Sequence, residues 1–473
     1  MKNLLYIVLY TWSLLCRADG LPDLGDTSQE AMSPQQERQI GVQSMFEIRS
    51  DKDYLDDAEI NDYLNQIGYQ LVANSNEPGQ EFEFFAINDN SINAFALPGG
   101  FIGVNTGLIL MSQSESELAS VLGHEIAHVT QHHLARMVAG QKVDSITAIA
   151  ALAVAILAAR SNPQASQAAM VGMQASSIQR QLNFTRTHEK EADRIGLTTL
   201  QKAGFDPYAM PIFFERLQKS TRLLDNNAPS YLRTHPVTSD RIADVANRVQ
   251  QIPYRLVADS LNFQLVRAKL RAMQKNTQEA VNFFQSALGE QKYGNQTAKR
   301  YGLAMALLRS GQVARATQEF APLETLTSRN PMIATLAGQI RRASKNNDGI
   351  VAFYRSTTQS FPQHRALVYD YAELLMETKR FEDALKLLNE QIMTHPNDLR
   401  LHELLARNYA ALGKRQKEHH MLAYTYILRG NLHSAIEQLE LAKKSGTDFH
   451  ELSIIESELK QFKEIAAAHA KNN

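Results

Sequence analysis

The stretch Val121-Leu122-Gly123-His124-Glu125-Ile126-Ala127-His128-Val129-Thr130 decides the fold of the N-terminal half of this chain. His124 and His128 are four residues apart, so on a helix they share one face and can bind one metal ion. Glu125 lies about 100° round the helix from His124, near enough to act on a water molecule at that ion. The pattern predicts a zinc hydrolase that cleaves peptide bonds, with one Zn²⁺ per chain.

The residues around this motif favour a real site over a chance match. Glu125 is the only acidic or basic side chain, histidines aside, among the ten, whereas a solvent-exposed helix would carry more Lys and Glu. A buried helix cannot leave two imidazoles and a carboxylate unpaired without a large free-energy cost, and a metal ion supplies the partner. The alternative is a core helix whose histidines are satisfied by hydrogen bonds alone.

Strand and helix patterns surround the motif. Three short stretches have strand character: Glu81–Ile87, Ala94–Leu97 and Phe101–Val104. In the first of them Phe82, Phe84 and Ala86 fall on one face. Helices are expected from Pro34, over 57–74 and over 114–138, where Ser114 and Glu117 have the spacing of a capping box. The N-terminal half is therefore predicted to be an α+β, zincin-like metalloprotease domain.

The predicted hairpin from Ala94 to Val104 suggests a place for substrate. An extended peptide can pair with an edge strand through backbone hydrogen bonds. The residues expected to make this contact are Ala94, Phe95, Ala96, Gly99 and Gly100. A purely structural hairpin is the alternative.

Residues 146–159 are apolar except for Thr147. The run is too short for a transmembrane helix, so a core helix is expected. A lid or a membrane-facing helix is the alternative. A long helix is then expected from about Gln164 through Gly196.

The C-terminal half, from residue 253, has no strand pattern and carries a helical repeat. Four pairs of apolar residues recur at intervals of 36, 34 and 34 residues: Ala280/Phe284, Ala316/Phe320, Ile350/Tyr354 and Ala384/Leu388. This is the period of tetratricopeptide repeats, which stack into a solenoid whose concave surface binds peptides or proteins. The fold class is therefore an α+β peptidase domain (34–252) followed by an all-α repeat solenoid (253–473). An unrelated helical bundle is the alternative.

Composition and the N-terminal segment indicate where in the cell the protein is expected. The chain has 473 residues and a net charge of −1, so its composition lacks the excess of positive charge that nucleic-acid binding requires. Residues 1–18 resemble a signal peptide, with Lys2 before an apolar run, and residues 19–33 resemble a leader tail. Cys16 is the only cysteine, so its removal would leave a chain without disulfides. Export to the periplasm of a Gram-negative bacterium is expected. A membrane anchor and lipidation at Cys16 are the alternatives.

A catalytic zinc site needs a third protein ligand. The metzincin continuation would place Gly at 131 and His at 134, where this chain has Gln131 and Leu134. The candidate is instead in Asn183-Phe184-Thr185-Arg186-Thr187-His188-Glu189-Lys190-Glu191-Ala192-Asp193. Glu189 is expected to bind the metal, and Asp193, four residues on, to orient a ligand histidine. Glu191 is expected to face solvent. A charged surface helix is the alternative.

These two segments together resemble the HtpX-like and CAAX-prenyl-protease-like gluzincin metallopeptidases. In that family HExxH is followed by Glu-x-x-x-Asp, with Asn-x-x-Ser-Arg before it. Arg186 matches the family arginine, which the resemblance places beside the ligands, and Thr185 stands where the family has Ser. Family members usually span the membrane, and this chain lacks those spans.

The whole layout resembles a periplasmic group of these peptidases. That resemblance implies quality control of outer-membrane proteins, both degradation of stalled β-barrels and help with their assembly. The expected partners are outer-membrane β-barrel proteins and their assembly machinery, reached through the repeats. Nucleic acid is not expected, and peripheral membrane contact is possible.

The segment Thr234-His235-Pro236 with Arg241-Ile242 also matches the family pattern. His235 then has two interpretations. It donates to the developing oxyanion, or it folds back onto the zinc and holds the enzyme inactive until substrate displaces it. A loop histidine that caps a helix is the third.

The predicted reaction is metal-assisted peptide hydrolysis in which Glu125 is the general base and His124, His128 and Glu189 are the ligands. The competing hypothesis is a chaperone or scaffold whose repeats dominate and whose protease site is latent. A membrane-embedded protease would require residues 146–159 to insert.

Overall fold

The computed structural model describes residues 32–139, 186–222, 230–290, 295–345 and 349–472. The expected signal peptide, most of the leader tail, the helix over 146–159 and the start of the helix from Gln164 lie outside the described residues. Within the described ranges, every helix is too short or too polar to cross a bilayer.

The peptidase half begins with two helices, a small sheet and the motif helix. Its elements follow the chain in this order: α1 (Pro34–Ser50), α2 (Ala58–Val72), β1 (Glu83–Ile87), β2 (Ala94–Leu97), β3 (Phe101–Asn105), α3 (Thr106–Met111), α4 (Glu115–Thr130), α5 (His133–Ala139), α6 (Arg186–Lys202), α7 (Ala209–Arg222), α8 (Ser230–Thr234) and α9 (Ser239–Val249). The three predicted strands and the helices before and after them are confirmed.

The sheet has the order β1-β3-β2, so β2 lies at an edge. β1 pairs with β3 in parallel and β2 pairs with β3 in the antiparallel direction, with Ala94 opposite Val104. Both faces are buried. Phe84 and Ala86 enter the main core with α2 and α4, as their alternation predicted, and Phe85 packs towards α1.

Helix α4 starts where the sequence predicted and ends sooner. The Ser114 hydroxyl accepts from the Glu117 N–H at 3.2 Å, but the Glu117 carboxylate accepts from the Gln113 N–H, so only half of the predicted capping box forms. The helix stops at Thr130 rather than 138, because His132 has a left-handed φ of 48°. The expected helix ending at Gly196 instead continues to Lys202.

Helices α4 and α6 cross in backbone contact. A Cβ on Gly196 would lie 3.0 Å from the carbonyl carbon of Gly123, and one on Gly123 would lie 3.2 Å from the carbonyl oxygen of Gly196. Both distances are tighter than most real Cβ contacts, so glycine at both positions allows this approach without a shift of either backbone. The crossing brings the next turns of the two helices face to face.

All the regular secondary structure among the described residues of the repeat half is helical. Its helices are α10 (Leu261–Ala272), α11 (Thr277–Gly289), α12 (Gln296–Arg309), α13 (Val313–Phe320), α14 (Pro331–Ala343), α15 (Ile350–Ser360), α16 (Arg365–Glu377), α17 (Phe381–Ile392), α18 (Leu399–Ala411), α19 (Arg415–Leu428), α20 (Leu432–Lys444) and α21 (Phe449–Asn472), with a 3₁₀ helix at Ala321–Leu326. The four recurring pairs are all buried on alternate helices, α11, α13, α15 and α17. The predicted repeat is confirmed.

The two halves share one core and a buried ion cluster. The main hydrophobic core continues from the peptidase helices into α10, α12 and α14. Lys269 of α10 lies 2.7 Å from both Asp57 and Glu59, and His364 lies 2.9 Å from the other oxygen of Glu59. Arg365 forms an ion pair with Asp62 of α2. The two halves therefore pack against each other across the predicted boundary at residue 253.

We expect Gly196→Ala to destabilise the protein by about 1–3 kcal/mol, although alanine favours helix, because the added methyl meets backbone that cannot move aside. Urea unfolding measures the change. Gly289→Ala is the control, since nothing lies within 4 Å of its added Cβ. Equal stability of the two variants would contradict the close crossing.

We expect Glu59→Gln to cost about 1.5–3 kcal/mol at neutral pH. Burial opposes ionisation of Glu59, but Lys269 and His364 outweigh it and hold its pKa below the ordinary 4.5. A lowered folded-state pKa means that this stabilisation is complete above about pH 4.5 and is lost as the pH falls further.

Thermal unfolding from pH 7 to pH 3 tests this, and the variant should lose less stability across that range than the wild type. Asp383→Asn, which breaks an exposed pair with Arg380, is the control and should change stability by less than about 1 kcal/mol. Parallel pH profiles for wild type and Glu59→Gln would refute the assignment.

Candidate metal centre

Three elements bring four candidate ligands together. Helix α4 carries His124 and His128, α6 carries Glu189, and the loop after α8 carries His235. One ligand atom from each lies within 4.8 Å of the other three, and all four side chains are buried. The sequence predicted the first three as ligands and placed the fourth near the metal. The structure brings all four to one point.

The two helical histidines turn the same ring atom towards this point. Nε2 of His124 and Nε2 of His128 are 3.0 Å apart, and they lie 3.5 and 3.4 Å from the two carboxylate oxygens of Glu189. His235 Nδ1 lies 2.9 Å from a Glu189 oxygen and 3.4 Å from His124 Nε2. Two imidazoles and a carboxylate are a donor set that Zn²⁺ accepts, and the fourth position is filled here by His235.

A buried ion pair supports this cluster from behind. Asp193 Oδ1 lies 3.0 Å from His124 Nδ1, as predicted for a residue that orients the ligand. Arg241 forms a bidentate pair with Asp193, both distances being 2.7 Å, and places its third nitrogen 2.7 Å from Glu189. Arg241 is 2% exposed. Its single positive charge is shared by the two buried carboxylates and offsets part of the cost of burying them.

The charges of the cluster follow from this arrangement. Burial lowers the pKa of His128 to about 3, so its ring is neutral, as a metal ligand must be. Burial also opposes the charged form of His124, but hydrogen bonds with Asp193 and Glu189 raise its pKa to about 9. Despite burial, the pKa of Glu189 lies well below its ordinary value because the three histidines surround it.

Glu125 has both of its carboxylate oxygens buried. Among the residues that the structure describes, neither oxygen accepts a hydrogen bond. His235 lies near this carboxylate, with 3.7 Å between Nε2 and Oε1. A buried, unsatisfied carboxylate is costly, so it indicates a missing partner such as a water molecule held beside a metal ion. The residues present therefore fit a bound Zn²⁺.

Comparison with known proteins agrees with this geometry. Residues 58–249 match the family described as Peptidase family M48, and residues 341–407 match a tetratricopeptide repeat. A Vibrio cholerae protein named putative beta-barrel assembly-enhancing protease is 35% identical over 421 residues, which cover 88% of this chain and 86% of that protein. The chain belongs to peptidase family M48.

Two further M48 relatives differ in how much of the chain they match. The beta-barrel assembly-enhancing protease of Escherichia coli K12 is 34% identical over 90% of this chain and 87% of its own length. The mitochondrial metalloendopeptidase OMA1 of Arabidopsis thaliana is 32% identical over 48% of this chain and 44% of its own length. The chain is thus an M48 metalloprotease with tetratricopeptide repeats, and membership of the family implies a divalent metal.

Two groups of predicted site residues lie further from the M48 cluster. Arg186 is exposed at the first residue of α6, while Arg241 takes the place beside Glu189 and Asp193. Gly99 and Gly100 have φ of 74° and 86° in the turn after β2, where a Cβ would meet backbone of Arg38 and Glu81. That turn requires glycine for its own geometry. Pairing of substrate along Ala94–Leu97 stays a prediction.

Sequence reasoning missed three neighbours of the M48 site. Arg241 was part of the quoted pattern but had no role. Tyr231 stacks on His235, with ring centroids 5.0 Å apart, and its buried hydroxyl has no hydrogen-bond partner in the part of the chain that the structure describes. His133 contacts His128, and Glu191, expected in solvent, contacts His133 and Arg136. The second histidine of the pair His132-His133 was the sequence signal that could have predicted the contacts of His133 with His128 and Glu191.

We expect Arg241→Gln to destabilise the metal-free protein by about 3–5 kcal/mol, because two buried carboxylates lose their cation. Denaturant unfolding in the presence of a chelator measures this. Arg194→Gln is the control: it removes an ion pair with Asp244 from the same helix α6, but Arg194 is 47% exposed and the loss should stay below about 1 kcal/mol. Similar losses in both variants would show that burial of the Arg241 pair carries no special weight.

Proposed function

We propose that the chain is a zinc-dependent endopeptidase of the Gram-negative periplasm that acts on outer-membrane β-barrel proteins and aids their assembly. The observation that carries the catalytic part is the cluster of His124, His128, Glu189 and His235 beside the unsatisfied carboxylate of Glu125. The names of the bacterial relatives support the choice of clients.

Each residue has a stated part in this chemistry. His124, His128 and Glu189 would hold Zn²⁺, which acidifies a water molecule and polarises the scissile carbonyl. Glu125 takes the proton of the attacking water and passes it to the leaving amine. Asp193 accepts from His124 Nδ1 and keeps the other ring nitrogen turned to the cluster.

His235 is proposed to keep the site closed at rest. It completes the donor set with Nδ1 2.9 Å from Glu189, so it occupies the position that catalysis needs free. Substrate entry would displace it. The loop is held on its far side, since the Tyr231 N–H donates to the Ile92 carbonyl just before β2. A role as donor to the oxyanion is the second interpretation.

Substrate is proposed to enter beside β2. This strand, which carries Ala94, Phe95 and Ala96, lies at the sheet edge, precedes the turn at Pro98 and is in contact with α4. A peptide that adds to this edge as a strand would pass the metal cluster with its carbonyls presented in sequence. The repeats would supply client selection through their concave face.

The closed cluster also favours a second function, that of a chaperone or scaffold with a latent protease site. In that case the repeats act without hydrolysis. Complementation of a strain that lacks the chain separates the two: Glu125→Gln fails if catalysis is required, and only repeat deletions fail if binding suffices.

We expect Glu125→Gln to bind zinc like the wild type and to lose cleavage of casein by about 10²- to 10⁴-fold, since the amide cannot accept the proton. Metal content and initial cleavage rates are measured together. Glu215→Gln, at a half-exposed carboxylate away from the cluster, is the control and should cleave normally. Cleavage by Glu125→Gln at the wild-type rate would remove Glu125 from the role of base.

We expect His235→Ala to retain zinc on the other three ligands and to cleave casein, and itself, faster than the wild type. The reason is that the fourth position becomes open. Initial rates at equal metal occupancy test this. A slower variant would favour the oxyanion role, and an unchanged variant would exclude both.

A further inference from the structure

The ring of His128 has a second contact, on the side away from the metal cluster. Its Nε2 faces His124 and Glu189, while its Nδ1 lies 2.9 Å from Nδ1 of His133, the first residue of α5. His133 is fully buried, and its Nε2 lies 3.1 Å from Oε2 of Glu191 on α6. Glu191 is one-third exposed and also accepts from Arg136 at 3.0 Å.

These contacts fix the direction of every proton along the chain. If His128 binds a metal through Nε2, its proton is on Nδ1 and must be donated. His133 Nδ1 must then accept, so its own proton is on Nε2 and is donated to the Glu191 carboxylate. One arrangement satisfies all three groups, and it orients the lone pair of His128 towards the metal.

We infer that His133 is the positioning residue for the metal ligand His128, and that Glu191 sets the tautomer of His133. The inference rests on the proposed metal site. It gives the two helical ligands different supports: His124 is held directly by the carboxylate of Asp193, and His128 is held by a carboxylate acting through an imidazole. Supports of this kind typically contribute 10- to 100-fold to metal affinity.

The turn between α4 and α5 explains why His133 can reach this place. His132 has φ of 48°, and its ring lies 3.6 Å from Glu37 and 3.7 Å from Glu77. Because of this turn, the side chain of His133 points inward. Its ring stacks on the ring of His188, with centroids 4.5 Å apart and planes 17° from parallel. A continuous helix through 131–133 would have no such break.

Substitution of His133 by each of two amide residues distinguishes a positioning role from a packing role. In His133→Asn the amide oxygen takes the place of Nδ1 and can still accept from His128. In His133→Gln the amide reaches the place of Nε2 and can bond only to Glu191. Gln is closer to His in length, so packing alone would favour it.

The experiment measures Zn²⁺ affinity by competition with a chelator, together with thermal unfolding of each metal-free variant. We expect His133→Asn to stay within about threefold of the wild type and His133→Gln and His133→Leu to bind 10- to 100-fold more weakly. We expect the unfolding temperatures of the metal-free forms to follow a different order. Equal affinities for Asn and Gln, or affinities that follow metal-free stability, would overturn the inference.

Variants of Glu191 provide a second test, one that does not disturb the hydrophobic core. Glu191→Ala should weaken Zn²⁺ binding by about tenfold, and Glu191→Gln, which keeps an acceptor, should restore most of it. Glu215→Ala is the matched control, since Glu215 is a half-exposed carboxylate that pairs with Lys219 on α7. Wild-type affinity in Glu191→Ala would remove Glu191 from the assignment.

His128→Ala separates this inference from the proposed site itself. If it binds Zn²⁺ as the wild type does, the metal is elsewhere and the proposed function fails. If it loses Zn²⁺ and the His133 variants do not, the metal site stands and the positioning role fails.

Discussion

Direct backbone contact between two helices is the constraint on which the site depends. Gly123 and Gly196 let α4 and α6 approach without any side chain between them. His124 follows Gly123 immediately, and Asp193 lies one turn before Gly196, so the ligand and its carboxylate meet at 3.0 Å. Three of the four donor residues lie on these two helices, and sites built on helices are held more precisely than sites built on loops. The fold fixes the distance between the helices, and the chemistry follows from that distance.

The second determinant is the balance of buried charge. Glu125, Glu189 and Asp193 are all almost fully buried, and among the described residues Arg241 is the one buried arginine or lysine that pairs with them. Desolvation of so many carboxylates disfavours folding unless cations compensate it. A divalent ion would supply the rest, which makes the energetics of folding and of metal binding inseparable at this place.

Local patterns in the sequence were sufficient for most of the architecture. Alternation in Phe82-Glu83-Phe84-Phe85-Ala86 predicted the buried faces of β1, and the 34-residue spacing of buried pairs such as Ala384 and Leu388 predicted the repeats. The spacing of the His124 motif and of Glu189 predicted which side chains would meet. These signals lie within single elements, and each depends on a period that the sequence displays directly.

The rest depended on contacts between distant residues. The end of α4 at Thr130 reflects the contacts of His132 with Glu37 and Glu77, which no local pattern reveals. Arg241 displaced Arg186 from the expected place beside the ligands because α9 packs on α6. Glu191 was expected in solvent by helical spacing alone, and the inward turn of His133 made it a partner. At these positions tertiary contacts, rather than local helix propensity, determine the structure.

The shared core between the halves has a consequence for synthesis. A chain emerges from the ribosome N-terminus first, and domains usually fold as they appear. Here Glu59 of α2 has its cation, Lys269, more than two hundred residues later, and the core around α2 is closed by α10 and α12. The hydrolytic half therefore cannot reach its final packing before the first repeats have been made. The order of synthesis thus delays the final packing of the peptidase half until the first repeats are attached to it.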